Sequence, residues 1–277
     1  MLRSLYSGIS GLRAHQTMLD TTGNNIANVN TVGFKSSSTQ FQDTLSQMTQ
    51  GATTPQAGTG GGNPAQVGLG VQVAGISTNF GQGSTQSTGK ATDMMISGNG
   101  FFVTKEGNTT TLTRSGAFDL DADGRLVSPD GGIVQGWKLD ANGNRTGALG
   151  AVTLESGTVG APESYTLGSD GTLTGNYSDG SQKPLARIAL ATVTNPAGLQ
   201  KTGGSGYTTT ANSGTADIVE SGQNGTGSII GGALEMSNVD LSQEFTNLIV
   251  AQRGFQANAR IITTSDEVLQ ELANLKR

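Results

Sequence analysis

Apolar residues recur at helical spacing at both ends of the chain. Alternate steps of three and four residues from the N-terminus reach Leu2, Leu5, Ile9, Leu12, Leu19 and Ile26. The same steps near the C-terminus reach Leu241, Phe245, Leu248, Phe255, Ile262 and Leu269. This is the heptad spacing of helices that bury one stripe. Asp240 precedes the second stripe as an N-cap, with Gln243 at capping-box spacing. The pattern predicts an N-terminal helix and a helix over 241–275, packed on each other, on neighbouring chains or on a central sheet.

Between the two stripes the pattern changes to short apolar runs separated by turn residues. The predicted strands cover 70–77, 94–103, 109–120, 124–128, 132–139, 165–169, 171–177 and 185–193. Asn-Gly and Asp-Gly pairs, such as Asp123-Gly124, separate many of these runs and tolerate the positive φ angles of hairpin turns. The segment 49–66 has almost no apolar side chain, which predicts a linker arm. The fold class is therefore α+β and mainly β, with a central antiparallel β domain flanked by terminal helices that pair as a coiled coil.

Glycine follows the same division of the chain. Of 43 glycines, four lie in residues 1–50 and one in residues 238–277. We therefore divide the chain into an N-terminal assembly helix with its following loop (1–48), the linker arm (49–66), the β-rich domain (67–236) and a C-terminal assembly helix (237–277). Each glycine inside the first helix costs about 1 kcal/mol relative to alanine. That helix therefore needs a packing partner.

Composition excludes several classes of function. The absence of cysteine excludes thiol nucleophiles and cysteine-ligated metals, and a single histidine, His15, excludes multi-histidine metal sites. The formal charge of −5 argues against nucleic acid as a partner. Apolar runs are too short for a membrane helix, and the first residues lack the apolar core of a cleaved signal. We expect no catalytic residues, no cofactor and no membrane insertion.

One stretch imitates a calcium site. Residues 119–124 (DLDADG) match the start of an EF-hand loop, but the flanking residues are strand-like where an EF-hand needs helices. A hairpin turn at Asp123-Gly124 explains the same residues, and a calcium-dependent adhesin built on Asp119–Asp130 is the alternative. A β-rich carbohydrate-binding or carbohydrate-cleaving protein, with a carboxylate pair in a cleft, is a second alternative.

Three separated segments resemble the rod and hook proteins of the bacterial flagellum. They are GNNIANVNTVGFK (23–35), the central pair ISGNGFFV (96–103) and LTRSGAFDLDADGRLVSPDGGIVQGW (112–137), and SNVDLSQEFTNLIVAQRGFQANARIITTSDEVLQEL (237–272). Within that family, the first segment together with GFQANAR (254–260) is most similar to hook proteins of the short type, and distal rod proteins share the architecture. The chain lacks a large central insertion, so any outer domain is a remnant, around 138–165.

The resemblance implies a structural role without catalysis. It implies that the two apolar stripes face each other within and between subunits of a helical tube, which transmits torque from rod to filament as a flexible joint. It also implies export through the flagellar type III apparatus to an extracellular hook. The implied partners are other copies of the chain and the distal rod, hook cap and hook–filament junction proteins. The residues expected to form a signature loop at the end of the first helix are Gly23, Asn24, Asn25, Asn28, Asn30, Gly33 and Phe34, the asparagines satisfying backbone groups there.

Overall fold

The computed structural model describes residues 2–55, 60–140, 142–154, 162 and 164–275. It is mainly β, with two long helices at the ends of the chain and an antiparallel β domain between them. The chain divides into two compact units. The helix unit contains Met1–Ala27, Ser37–Asn79 and Asp240–Arg277, and the β unit contains Asn28–Ser36 and Phe80–Val239. None of the described helices is both long and apolar enough to cross a membrane.

The helix unit consists of two helices and two hairpins. Helix α1 is Leu2–Ala27 and helix α2 is Leu241–Leu275. Strand β1 (Ser37–Asp43) pairs with β4 (Val71–Thr78), and β2 (Ser46–Gln50) pairs with β3 (Ala65–Gly68). Strand β4 matches the predicted run 70–77, whereas β1, β2 and β3 were not predicted because their apolar residues are few and isolated. The hairpin β2–β3 encloses most of the predicted linker arm, whose residues 56–59 lie outside the described residues.

The N-cap of α2 forms as the sequence predicts. The Asp240 carboxylate accepts hydrogen bonds from the amides of Ser242 at 2.8 Å and Gln243 at 3.3 Å. The Gln243 side chain does not complete a capping box, since it donates to Asn247 Oδ1 at 3.1 Å instead. The cap therefore satisfies amide groups that the first helical turn leaves unpaired.

Among the residues that the structure describes, the β unit has seventeen strands, all paired antiparallel, and one short 3₁₀ helix, Pro196–Gly198. The strands are β5 (Thr85–Ser87), β6 (Met94–Ser97), β7 (Phe101–Glu106), β8 (Thr109–Thr113), β9 (Asp119–Leu120), β10 (Leu126–Val127), β11 (Ile133–Leu139), β12 (Arg145–Ala151), β13 (Ser164–Leu167), β14 (Thr172–Asn176), β15 (Gln182–Ile188), β16 (Leu190–Thr192), β17 (Gln200–Gly203), β18 (Gly206–Thr208), β19 (Asp217–Val219), β20 (Ser228–Gly231) and β21 (Ala233–Glu235).

One large sheet organises this unit. Its main path runs β13–β14–β15–β11–β7–β8–β18–β17, while β20 pairs with β6 and β21 with β5. Two apolar clusters form its core: one surrounds Phe102, Phe118 and Leu190, and the other surrounds Phe101 and Tyr207. Phe101 and Phe102 belong to different clusters because successive side chains of a strand point to opposite faces.

Glycine divides one predicted strand in two. The predicted run 94–103 is β6 and β7, separated by Gly98 and Gly100, whose φ angles are +115° and +126°. L side chains rarely adopt these angles, so the strand cannot continue through them. The apolar pattern alone predicts one continuous strand, because apolar residues such as Ile96 and Phe101 lie on both sides of the break.

The segment that imitates a calcium loop is a hairpin turn, as predicted. Asp119–Leu120 pairs with Leu126–Val127, and Gly124 has φ +70°. The Asp121 carboxylate accepts the amides of Asp123 at 2.9 Å and Arg125 at 2.8 Å, so it caps the turn from within. Local hydrogen bonding of this kind is the ordinary role of aspartate in turns.

Candidate assembly interface

The two terminal helices pack antiparallel along a seam of small and polar residues. A Cβ built on Gly8 would lie 3.5 Å from side-chain atoms of Ile261 and Ile262, and one on Gly11 would lie 2.8 Å from Asn258 Oδ1. A Cβ on Gly254 would lie 2.5 Å from the His15 ring. Further along, Asn25 Nδ2 donates to Glu244 Oε1 at 3.1 Å. Numbers rise in α1 as they fall in α2, so the helices run in opposite directions.

Ile262 supplies one of these closest contacts, but most of the predicted stripe residues do not. They lie one residue after the seam positions: Leu12 follows Gly11, Ile26 follows Asn25, and Phe255 follows Gly254. Successive residues of an α-helix are turned by about 100°. The second helix runs in the opposite direction and faces its partner with the opposite side. These two reversals cancel, so a step of one residue from the seam leads to the same side of the pair in both helices. Both stripes therefore lie on that side. We call this side the apolar face, formed by Leu5, Leu12, Leu19, Ile26, Phe245, Leu248, Phe255 and Ile262.

The opposite side of α1 is covered by the β1–β4 hairpin. The residues of α1 that precede the seam positions bind it: Ser10 Oγ accepts the Val71 amide at 3.2 Å, and Thr21 Oγ1 accepts a hydrogen bond from Thr39 Oγ1 at 3.1 Å. The His15 ring lies 5.9 Å from the Phe41 ring. His15 is therefore a packed member of the helix interface.

The predicted stripe residues differ in exposure within the subunit. Leu5, Leu12, Leu19, Ile26, Leu248, Phe255 and Ile262 are half-buried. Exposed fractions of the others are 39% for Ile9, 39% for Leu241, 51% for Phe245 and 36% for Leu269. Ile9 lines a groove with Tyr6 and Arg13 beside the hairpin, so it leaves the apolar face. The Leu2 side chain lies outside the described residues. Contacts of this set with neighbouring chains stay a prediction.

The expected signature loop divides between two roles. Gly23 and Asn24 are exposed residues of α1, whereas Asn25 is buried and donates from Nδ2 to the Ser37 carbonyl at 2.8 Å and accepts the Ser37 amide at 3.0 Å. Asn25 thus satisfies backbone groups at the start of β1 rather than those at the end of α1. Asn28 Oδ1 accepts from Thr31 Oγ1 at 3.0 Å, and Asn30 is exposed.

The second half of that loop lies on the sheet of the β unit. Gly33 has φ +68°, and a Cβ there would lie 2.5 Å from the Ser115 amide nitrogen. This close backbone approach at a positive φ requires glycine. Phe34 is half-buried, with Lys201 Nζ 5.1 Å from its ring centre. Residues 33–35 are thereby fixed to the β unit.

A buried charge cluster anchors the end of the loop, and the sequence pattern gave no sign of it. Lys35 Nζ donates to Glu235 Oε1 at 2.6 Å, and Arg114 Nη1 donates to Glu235 Oε2 at 3.3 Å. All three side chains are at most 3% exposed. Burial lowers the pKa of Lys35 and of Arg114 below their ordinary values, against the opposing effect of the Glu235 charge. Two cations thus share one carboxylate away from water.

No metal-holding cluster is evident among the residues that the structure describes. That part of the chain contains no group of three or more histidine, aspartate or glutamate side chains placed to hold a metal ion. A groove of about 350 Å³ in the β unit is lined by Glu106, Asp130 and several threonines. It is the place where the carbohydrate alternative would put its carboxylate pair.

Three family models match the chain in order. They are described as flagella basal body rod protein (residues 5–35), flagellar hook protein FlgE/F/G D1 domain (95–175) and flagellar basal body rod FlgEFG protein C-terminal (230–275). The first match contains most of α1 and the signature residues, the second lies within the β unit, and the third contains all of α2.

Full-length relatives carry both names of this family. The chain is 47% identical to the flagellar basal-body rod protein FlgG of Bacillus subtilis, over all of both chains. It is 34% identical to the flagellar hook protein FlgE of Borreliella burgdorferi, again over all of both chains. With the flagellar hook protein FlgE of Helicobacter mustelae it shares 52% identity over 50% of this chain and 32% of that protein. The chain therefore belongs to the family of flagellar hook and rod proteins.

Proposed function

We propose that this chain is a structural subunit of the flagellar hook, which assembles with its own copies into a helical tube and transmits torque from rod to filament as a flexible joint. The observation that supports this most directly is the apolar face. Both helices contribute to it, and the hairpin of the same subunit covers the other side of α1. A second copy is the natural occupant, because the family is one of rod and hook components.

The energy available from that face is large enough for assembly. Complete burial of one leucine or phenylalanine side chain contributes about 1.5–3 kcal/mol. Phe245 is 51% exposed and has roughly half of that amount left to gain, whereas its neighbours on the face are mostly buried in the subunit and have at most about a third of it left to gain. A contact that joins this face to a different surface of the next copy is heterologous, and when its rotation does not close into a ring it gives a helical tube or filament rather than a dimer.

The remaining parts of the proposal follow from the same role. A subunit of this kind needs no catalytic group and no cofactor. Its partners are other copies of the chain and, at the ends of the tube, distal rod, hook cap and hook–filament junction proteins. It reaches the extracellular hook through the flagellar type III export apparatus.

Assembly is tested by substitutions on exposed residues, which leave the subunit fold intact. Phe245→Gln removes a residue of the apolar face, and Leu120→Gln, in the β unit, is a matched control because Leu120 is 40% exposed. We expect Phe245→Gln to raise the critical concentration for tube formation about tenfold, for a loss near 1.4 kcal/mol per contact, and Leu120→Gln to leave it unchanged. Tubes of Phe245→Gln that form at the wild-type concentration would contradict the proposal.

The distal rod is the second candidate position. It is favoured by the 47% identity with a rod protein over the full length of both chains, while the higher local identity of 52% is with a hook protein over half of this chain. Immunogold labelling of isolated hook–basal bodies separates the two. Label along the curved hook supports the hook, and label confined to the straight rod supports the second candidate.

A further inference from the structure

The chain passes between the two units four times, and three of these connections are bonded to each other inside the β unit. The chain leaves or enters that unit at Ser36, Phe80 and Val239. Lys35, Gly81 and Asn238 are the neighbouring residues one step further in. The Gly81 carbonyl accepts Lys35 Nζ at 2.8 Å and Asn238 Nδ2 at 3.2 Å.

The same three segments share further hydrogen bonds. The Ser36 amide donates to Asn238 Oδ1 at 2.8 Å, and the Asn238 amide donates to the Phe34 carbonyl at 3.4 Å. Glu235 Oε1 accepts the Gly83 amide at 2.9 Å as well as Lys35. Each connection is therefore bonded to both of the others within a few residues of the point where it leaves the unit.

Buried charge makes this cluster rigid. Glu235 is held from one side by Lys35 and from the other by Arg114, which also donates to the Gly98 carbonyl at 2.8 Å. Arg114 lies 5.4 Å from the Phe101 ring centre, so the cluster joins the second apolar core. A buried ion pair adds little net stability, but it fixes one arrangement because losing either partner leaves an uncompensated charge.

We propose that Lys35, Glu235 and Asn238 form an anchor through which force carried by the terminal helices enters the β unit. We call these three residues the connection anchor. Because the connection anchor bonds three chain connections to one another, none of them can be displaced alone. A force on one connection is therefore shared by all three. The inference rests on the proposed torque-transmitting role, and it assigns that role to polar residues that the apolar pattern does not mark.

Asn238→Ala is the sharpest test, since it removes two side-chain hydrogen bonds without leaving a buried charge. The Gly83 amide is the informative probe of the anchor, because it donates its hydrogen bond to Glu235 and not to Asn238. If the anchor acts as one body, hydrogen exchange at Gly83 should accelerate about tenfold in Asn238→Ala, while the Val152 amide, bonded to Val134 in the core, keeps the wild-type rate. Asn238→Asp keeps the acceptor for Ser36 and should give a smaller effect.

Asn195→Ala is the matched control, because the Asn195 side chain donates to the Asn212 carbonyl at 3.2 Å elsewhere in the same unit. Tubes of Asn238→Ala should show a shorter persistence length in electron micrographs than tubes of Asn195→Ala. An unchanged Gly83 rate overturns the anchor, and so do tubes of equal stiffness despite faster exchange. If the wild-type chain does not form tubes, the proposed function is refuted. The hydrogen-exchange rate of the Gly83 amide then tests the connection anchor on its own.

Discussion

The seam between the helices makes a quantitative prediction about glycine. In a helix interior, alanine is more favourable than glycine by about 1 kcal/mol. A Cβ at Gly23 would meet nothing within 4 Å, so Gly23→Ala should raise the free energy of unfolding of the helix unit by about that amount. At Gly254 the same Cβ would lie 2.5 Å from the His15 ring. Overpacking of this kind costs about 1–3 kcal/mol, which exceeds the propensity gain, so Gly254→Ala should be destabilising by about 1 kcal/mol.

Thermal unfolding followed by circular dichroism at 222 nm measures this difference, because the two helices dominate that signal. The cause is isolated by a double-mutant cycle with His15→Ala. Without the ring, Gly254→Ala should become stabilising, which gives a coupling energy of about 2 kcal/mol between the two sites. If Gly254→Ala stabilises the chain as much as Gly23→Ala does, the His15 ring moves aside freely and the close seam is not what holds these helices.

Three further predictions concern the β unit, and urea unfolding followed by the fluorescence of the single tryptophan measures each of them. Glu235→Gln leaves two buried cations without a counter-charge and should lower the free energy of unfolding by about 3–5 kcal/mol. The side-chain hydrogen bond from Arg145 lowers the pKa of Glu220 below its ordinary 4.5, so this carboxylate stabilises the fold above that pH and the gain is lost on acidification. Glu220→Gln should therefore flatten the fall in stability between about pH 5 and 3. Gly33→Ala combines a positive φ with a backbone clash and should cost about 3 kcal/mol or more, whereas Gly131→Ala, at φ +85° in open space, should cost only about 1 kcal/mol.

The sequence predicts the elements of this protein better than their contacts. Helix α2 covers the predicted residues 241–275, because an N-cap and a long periodic stripe are local signals. The hairpin turn at Gly124 was predictable for the same reason. Strands β1, β2 and β3 of the helix unit were not, since they are mostly exposed and carry little apolar pattern, whereas β4 matches the predicted run 70–77.

The seam shows what periodicity leaves out. Counting apolar residues selects the most apolar row of each helix, whereas several of the closest contacts come from an adjacent row that contains glycine, histidine and asparagine. Small residues allow the helix axes to come close, and that gain depends on which residue lies opposite. Gly254 accommodates a histidine ring that is 239 positions earlier in the chain, at His15. No local pattern contains that information. Lys35 and Glu235 escape prediction for the same reason, since they are 200 residues apart.

The separation of seam and apolar face has a consequence for a subunit that polymerises. If the leucine and phenylalanine rows of α1 and α2 packed on each other, the helices would satisfy their apolar surface within one chain and offer little to another. The glycine-containing seam holds the pair together through close backbone contact and hydrogen bonds, and it leaves both rows directed to one side. Gly8, Gly11 and Gly254, which weaken the helices taken singly, therefore allow the close approach of the two helices. On the proposed assembly, their substitution by larger residues should turn the apolar rows away from their common side and weaken polymerisation more than it weakens the subunit.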